Sequence, residues 1–589
     1  MSPSLTYYQN NLITLKVKLS KNKKDLLALS LTRLMVFLAT CLGLYFTYKT
    51  ITIAIGIGCV GLIVFLYLLH KYTTLKTIRN YNKALLTINN NEIRQSTGDF
   101  LYKEQGLEFQ DPKHEYCLDI DLFGRGSFFQ NLDRSQTLEG KTYLADLLKA
   151  NQISNIEIRQ EGIKELADKT KFRQHYQATA SLIKAEVKIA TILKWLTTYK
   201  PFLPKYSVGF AYGFSIVSLM LLALTIFKIL SAAYFGYWLF VGLALSGRFV
   251  KKISALSEHT SKIKDTFKQY ATLLDAIENE TFSSKALIEK QDLINSEEEK
   301  ASEIFKTFSK HLDALDNRNN LIGAIFGNGY FLLDIKNAFL IEKWIKQHKS
   351  IVENWFSVIS FFDAYQSFGT YVFNNQDLVF PKISNQNNTI KATNLGHPLL
   401  HKEKRICSDV LIENNQFFIV TGANMAGKST FLRTISLHIV MANVGLPVCA
   451  TESSYGPTKL ITSMRTTDNL TDDSSYFFSE LTRLKFIVDS IKNECYFIIL
   501  DEILKGTNSK DKAEGSKKFV KKLVSSNANG IIATHDLSLC EIEAELPEVK
   551  NYYFDAFIEN DELSFDYKFK KGVCQNMNAS FLLKKMDIV

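Results

Sequence analysis

The sequence predicts a chain in two parts, an α/β domain at the C-terminal end and a long all-α region before it, interrupted by two apolar helical hairpins. Three observations predict this. The stretch Thr421-Gly422-Ala423-Asn424-Met425-Ala426-Gly427-Lys428-Ser429-Thr430 fits G-x-x-x-x-G-K-[ST], with an apolar run before it and helical spacing after it. Charge-free stretches occur as two close pairs, 34–48 with 51–69 and 206–227 with 229–247. The nine prolines leave 113–200 and 205–380 proline-free, as long helices require.

A chain of 589 residues has room for about three or four units and a large core. A hydrophobic share of 46% against 22% charged excludes a disordered or fibrous chain. The net charge of +10 permits contact with nucleic acid or anionic lipid and proves neither. The eight cysteines are scattered and form no C-x-x-C pair, which argues against a zinc site and for a reducing compartment. The first apolar stretch is followed at once by a second, which suits a retained anchor rather than a cleaved signal.

A membrane helix needs about 20 apolar residues. Three of the four stretches meet that length, and the first extends back through Leu27–Leu31 if Arg33 snorkels or lies against protein. Buried helices of a large soluble domain are the rival reading, but such helices carry a polar face and these carry none. Lys16, Lys18, Lys21, Lys23 and Lys24 precede the first stretch, and Lys71, Lys76, Arg79 and Lys83 follow the second. Lys200 and Lys205 precede the third, and Arg248, Lys251 and Lys252 follow the fourth, while each turn holds one lysine. Both hairpins therefore dip in from the cytoplasmic side, giving a multi-pass cytoplasmic (inner) membrane protein with the remainder in the cytoplasm. The stretches contain no acidic residue, so they read as anchors rather than an ion relay.

The expected order is a cytoplasmic N-terminal segment over 1–30, hairpin one over 31–70, and a first helical core part over 71–205. Hairpin two follows over 206–247, a second lever or core part over 248–380, and the α/β domain over 381–589. Residues 253–315 read as long helices, and the glycine-bearing segment Leu321–Tyr330 reads as a turn between helices.

In the α/β domain, Gln416–Val420 is a buried-strand run and Phe431–Ala442 a helix, so the glycine loop lies between strand and helix, the setting of a P-loop NTPase. Gly422 and Gly427 let the backbone N–H groups form an anion cradle with the positive end of the helix. Lys428 would reach the β/γ-phosphates of ATP, and Ser429 would ligate Mg²⁺. Cys495–Leu500 is an apolar strand ending in Asp501 and Glu502; Asp501 would hold Mg²⁺ and Glu502 would polarise the attacking water. Gly530–Thr534 is a further strand ending in His535, placed to touch the γ-phosphate or the water. Ser474 and Ser475 precede a helix starting near Tyr476, which they could cap or offer to a phosphate of a second subunit.

Taken together, these residues resemble the ATPase of the MutS mismatch-repair family. The loop T-G-x-N-M-A-G-K-S-T, with Asn424 and Met425 in it, is more specific than a bare P-loop. Asp501-Glu502-Ile503-Leu504-Lys505-Gly506-Thr507-Asn508-Ser509-Lys510-Asp511 is similar to that family's D-E-x-x-x-G-T-x-x-x-D. Ser475–Leu481 is similar to its S-T-F-x-x-E-M element, with Tyr476 in place of Thr, and Gly396-His397-Pro398 to its lead-in. The resemblance implies an ABC-like ATPase that binds ATP and Mg²⁺ and forms a homodimer with composite sites, Ser475 acting in trans. It implies Gly422, Asn424, Met425, Ala426, Gly427, Lys428, Ser429 and Thr430 around the nucleotide, Ser429 and Asp501 at the metal, and Lys428, Glu502 and His535 in catalysis. It also implies binding of mismatched or branched DNA in repair. The sequence departs from the family in carrying a membrane hairpin where a mismatch-reading domain is usual, and in Lys512 where Gly is usual. A membrane ATPase acting on a protein or membrane partner, with no repair role, is the alternative.

Overall fold

The computed structural model describes residues 2–183, 187–295, 299–316, 321–384, 388–465, 476–559 and 562–575. Helices α1 (Pro3–Thr47) and α2 (Ile51–Ser96) form an antiparallel pair, about 68 Å long at ~1.5 Å per residue. Ser2 caps α1 by accepting from the Leu5 N–H, and Pro3 occupies its first turn, where no N–H is needed. The expected N-terminal segment and first apolar stretch are thus one unbroken helix. Arg33 lies against protein, its guanidinium 4.8 Å from the Tyr72 ring centre, so the charge does not interrupt the helix.

The far half of this pair exposes its apolar side chains, and the near half is built into the helical core. That core holds α3 (Phe128–Leu132), α4 (Leu138–Lys149), α5 (Ile156–Asp168), α6 (Thr170–Ala180) and α7 (Ile189–Thr198). Then come the apolar helices α8 (Ser207–Ile226) and α9 (Ala232–Gly247). By length and composition α1, α2 and α8 are long enough to cross a membrane, whereas α9 has 16 residues. The short member of the four stretches is therefore the last. Ile229–Ser231 go into the reversal after Lys228, which sits at φ +60°.

The expected long helices over 253–315 are broken into α10 (Val250–Ser261), α11 (Lys264–Glu278), α12 (Lys285–Asp292) and α13 (Ala301–Asp316). Tertiary contacts end α11. The Glu165 carboxylate accepts from the Ser283 and Ser284 N–H groups, and Lys169 holds Glu280 and the Thr281 carbonyl. The expected turn at Leu321–Tyr330 is also corrected, because these residues form α14 (Leu321–Phe331), packed on α8 and α9. Gly327 and Gly329 on it serve close approach rather than reversal. Helices α15 (Leu333–His348) and α16 (Val352–Asn374) complete the region.

Helix α16 is the axis of the core, buried from Trp355 to Tyr371 except at the exposed Ser357, with α4, α5 and α6 around it. Its polar side chains fasten the loops. Asp363 accepts from the Gln136 and Thr137 N–H groups, Ser367 from the Arg134 N–H, and Thr370 from Arg173. A buried Arg134–Glu92 ion pair at 3.0 Å joins this core to α2, and Asn374 donates to the same carboxylate.

The α/β part begins with β1 (Lys382–Ile383), β2 (Asn388–Leu395) and β3 (Ser408–Glu413), continues with β4 (Phe417–Gly422), α17 (Lys428–Val444), β5 (Glu452–Tyr455) and β6 (Lys459–Ser463), and then has α18 (Tyr476–Ser490) and β7 (Tyr496–Asp501). After these come α19 (Ser509–Ser525), β8 (Asn529–Ala533), β9 (Val549–Phe554), β10 (Ala556–Glu559), β11 (Glu562–Phe565) and β12 (Lys570–Lys571). The main sheet runs β12-β9-β4-β8-β7-β6, all parallel except the edge strand β12. Strands β4 and β7 are almost continuous apolar runs, as a sheet covered on both faces requires.

Candidate nucleotide-binding site

Strands β4, β8 and β7 are neighbours and parallel, so the segments after Gly422, Ala533 and Asp501 emerge side by side at one edge of the sheet. Ligands of open α/β sheets bind at that edge. Gly422 sits at φ +147°, and a Cβ there would meet the Phe554 carbonyl oxygen at 2.6 Å, so only glycine fits the turn. Ala426 is buried beneath the loop, while Asn424 and Met425 form its exposed tip. Helix α17 starts at Lys428, which places its unpaired first N–H groups and positive dipole end at the loop.

The side chains converge. The Lys428 ammonium donates to the Gly422 and Ala423 carbonyls at 2.8 and 3.0 Å, and lies 3.3 Å from His535 Nε2. Burial holds its pKa below the usual lysine range, against the pull of Asp501 and Glu502. The Ser429 hydroxyl donates to the Asp501 carboxylate at 2.7 Å. His535 Nε2 is 3.0 Å from Glu502 Oε1, a hydrogen bond that, with Lys505 nearby, brings the Glu502 carboxyl down to about 2. Glu502 itself occupies the left-handed region at φ +51°, with its N–H tied to the Ala533 carbonyl. Strain of this kind in a non-glycine residue persists only where the surrounding structure holds it, and it clusters at functional sites. Ser475 lies outside the described residues.

Two parts of the site were not read from the sequence. The first is a cavity of about 300 Å³ beside Gly427 and Thr430, lined by His397, Leu400, Ile406, Phe431, Phe554 and Tyr567 among others. Burial, with Arg433 and Arg405 nearby, takes the His397 pKa down to about 4, so the ring is neutral. Its Nδ1 accepts from the Leu399 N–H, which leaves Nε2–H as a donor. The Gly396-His397-Pro398 lead-in was the one signal for this wall. The second is the contact made by Glu480 on α18, a residue that stands in the Ser475–Leu481 element with no role read for it there. Its buried carboxylate accepts the Lys505 N–H at 3.0 Å, and the Leu504 and Gly506 N–H groups also point to it. It thereby clamps the loop that follows Glu502. No spacing rule marks this contact, because its partners lie 24 or more residues on.

Helical-core residues also reach the domain. Asp119 accepts from the Thr462 hydroxyl and the Arg465 N–H, and Asp121 pairs with Arg465 and Arg433.

A phosphate loop, a Ser–Asp oxygen pair and a Glu–His pair at one sheet edge define a P-loop nucleotide-binding domain. The family model for MutS domain V matches residues 418–584. The human MutS protein homolog 4 is 34% identical over 193 residues, which cover 31% of this chain and 20% of that protein. The DNA mismatch repair protein MSH4 of Arabidopsis thaliana is 30% identical over 194 residues, covering 32% of this chain and 24% of its own. The DNA mismatch repair protein MutS of Methanococcoides burtonii is 32% identical over 185 residues, covering 30% of this chain and 21% of its own. The segment 418–584 matches MutS domain V, and the similarity of this chain to these MutS-family proteins covers about a third of its length. The matched segment spans about a fifth to a quarter of the length of these relatives.

Proposed function

We propose that the chain is a dimeric ATPase, tethered by its apolar helices to the cytoplasmic membrane, that couples ATP hydrolysis to movement of its helical core on DNA. The observation that carries the enzymatic part is the meeting of Lys428, Ser429, Asp501, Glu502 and His535 at one sheet edge. The cradle of N–H groups and Lys428 neutralise the phosphate charge, and the cavity lined by His397, Phe431 and Tyr567 takes the base and sugar. Ser429 Oγ and the Asp501 carboxylate are hard oxygen donors 2.7 Å apart, a set that fits Mg²⁺. That ion, when bound, supplies charge neutralisation at the β- and γ-phosphates. Glu502 stays ionised at neutral pH and takes a proton from the attacking water, while His535 fixes its orientation. By its resemblance to the MutS-family S-T-F-x-x-E-M element, Ser475 completes the site of a second copy.

The DNA part is supported by the relatives' names and the positive net charge. A second reading, a membrane ATPase acting on a protein or membrane partner, is favoured by the exposed apolar surface of α1, α2 and α8. The test is ATP turnover of the detergent-purified full chain with duplex, mismatched and branched DNA at low and physiological salt. Salt-sensitive stimulation by DNA is the expected result. Robust basal turnover that no DNA changes would refute the DNA part and leave the second reading.

A further inference from the structure

The apolar unit formed by α8 and α9 has a third member. Helix α14, Leu-Ile-Gly-Ala-Ile-Phe-Gly-Asn-Gly-Tyr-Phe, carries no charge, and Ile322 and Phe326 on it are 69% and 52% exposed. Its backbone touches that of α9. A Cβ at Gly242 would fall 2.1 Å from the Gly329 carbonyl oxygen, and one at Gly329 would fall 2.3 Å from Leu239. Small residues at a helix crossing are how helices associate where the surroundings are as apolar as the side chains.

Several polar groups of the three helices find protein partners on one another or on the start of α15. The Ser218 hydroxyl of α8 lies 2.6 Å from the Tyr330 carbonyl and accepts from Trp238 Nε1 at 2.8 Å. Tyr330 stacks on Phe235 and donates to its carbonyl, and the Asn328 side chain accepts from the Asp334 N–H. A helix C-terminus in water leaves such carbonyls to solvent; one in hydrocarbon must find protein partners. Ser218 stands 11 residues after Ser207, about 16 Å along α8. At 11 residues α14 is itself about 16 Å long, half of what a crossing needs. Leu332, at φ +48°, then separates it from α15, and Lys336 lies over the Tyr212 ring at 4.5 Å. A lysine over a tyrosine near the start of a crossing helix marks headgroup level.

We propose that α14 is a re-entrant membrane helix that enters from the cytoplasmic side beside α8 and α9, returns through α15, and rests its Ile322–Phe326 face on lipid acyl chains. The proposal rests on the membrane reading of α8 and α9. It gives the bilayer a direct handle on α13 and α15, the two core helices that flank α14.

The test uses the full chain in phosphatidylcholine–phosphatidylglycerol vesicles. One sample carries a phospholipid with a carbene-generating group on its acyl chain, and another is exposed to a water-soluble carbene precursor. Labelled peptides are mapped by mass spectrometry. Acyl-chain labelling of 322–331 at a density comparable to α9, with aqueous labelling absent there, is the expected result. Acyl-chain labelling of α8 and α9 without 322–331 would overturn the proposal and leave the membrane reading standing. Protection of 322–331 from both probes, as a second copy seated on it would give, would also overturn it. Absence of acyl-chain label from α1, α2, α8 and α9 would overturn the membrane reading and this proposal with it.

Discussion

Replacing Glu480 with Ala tests how the catalytic loop is held. Its carboxylate is buried and receives N–H groups from the loop that follows Glu502. That loop keeps two non-glycine residues, Glu502 and Leu504, in the left-handed region. Such residues cost roughly 1–3 kcal/mol each. Hydrogen bonds from backbone N–H groups to a carboxylate contribute about 1.5–3 kcal/mol each, so the clamp and the strain are of similar size. Without the clamp the loop relaxes and Glu502 leaves its position. A rise of about 1.4–2.8 kcal/mol in the barrier lowers kcat roughly 10- to 100-fold. The phosphate loop does not touch Glu480, so the affinity for a fluorescent ATP analogue changes little. Glu480→Gln keeps one acceptor oxygen and falls between the two. Steady-state phosphate release and nucleotide titration on the same preparations separate the effects. Wild-type turnover in Glu480→Ala would refute the clamp.

Further outcomes follow from other contacts. Glu92→Gln leaves the Arg134 guanidinium buried beside a neutral partner and destabilises the fold by about 3–5 kcal/mol, read as a lower thermal midpoint in detergent; an unchanged midpoint would refute the role of this pair in joining α2 to the core. Burial pushes the Glu92 pKa up, but Arg134 and Lys103 outweigh it and hold it below the usual glutamate range. Its contribution is therefore present above the unfolded value near pH 4.5 and is lost as pH falls through the folded one, so the wild type loses more stability on acidification than Glu92→Gln. Lys428→Ala removes the cation that faces the phosphates and weakens ATP binding by about tenfold or more, about 1.4 kcal/mol; full affinity would argue against this loop as the phosphate site. His397→Ala removes one wall of the cavity beside Thr430 and weakens ATP more than free triphosphate; equal effects on both would remove the base from that cavity.

The phosphate loop, the strand before Asp501 and the strand before His535 were legible because each is a local pattern of apolar residues ended by a polar turn. Contacts between segments distant in the chain were hidden. Glu480 acts on N–H groups at 504–506, and Asp119 and Asp121 act on a strand end more than 340 positions away. The breaks in 253–315 come from Glu165 and Lys169, which hold the 280–284 segment from another helix. Helix α14 read as a turn because glycine has two uses, reversal and close approach, and sequence spacing does not tell them apart. The continuity of α1 through Arg33 was open until Phe65 and Tyr72 were seen to flank the guanidinium.

The most direct measurement compares the purified full chain with its Glu502→Gln variant for ATP binding and for ATP hydrolysis, in Mg²⁺ and in EDTA. Mg²⁺-dependent turnover in the wild type, with undiminished binding and nearly abolished turnover in the variant, is the predicted result. Full turnover in Glu502→Gln, or no ATP binding by the wild type, would contradict the assignment of this sheet edge as an ATPase site.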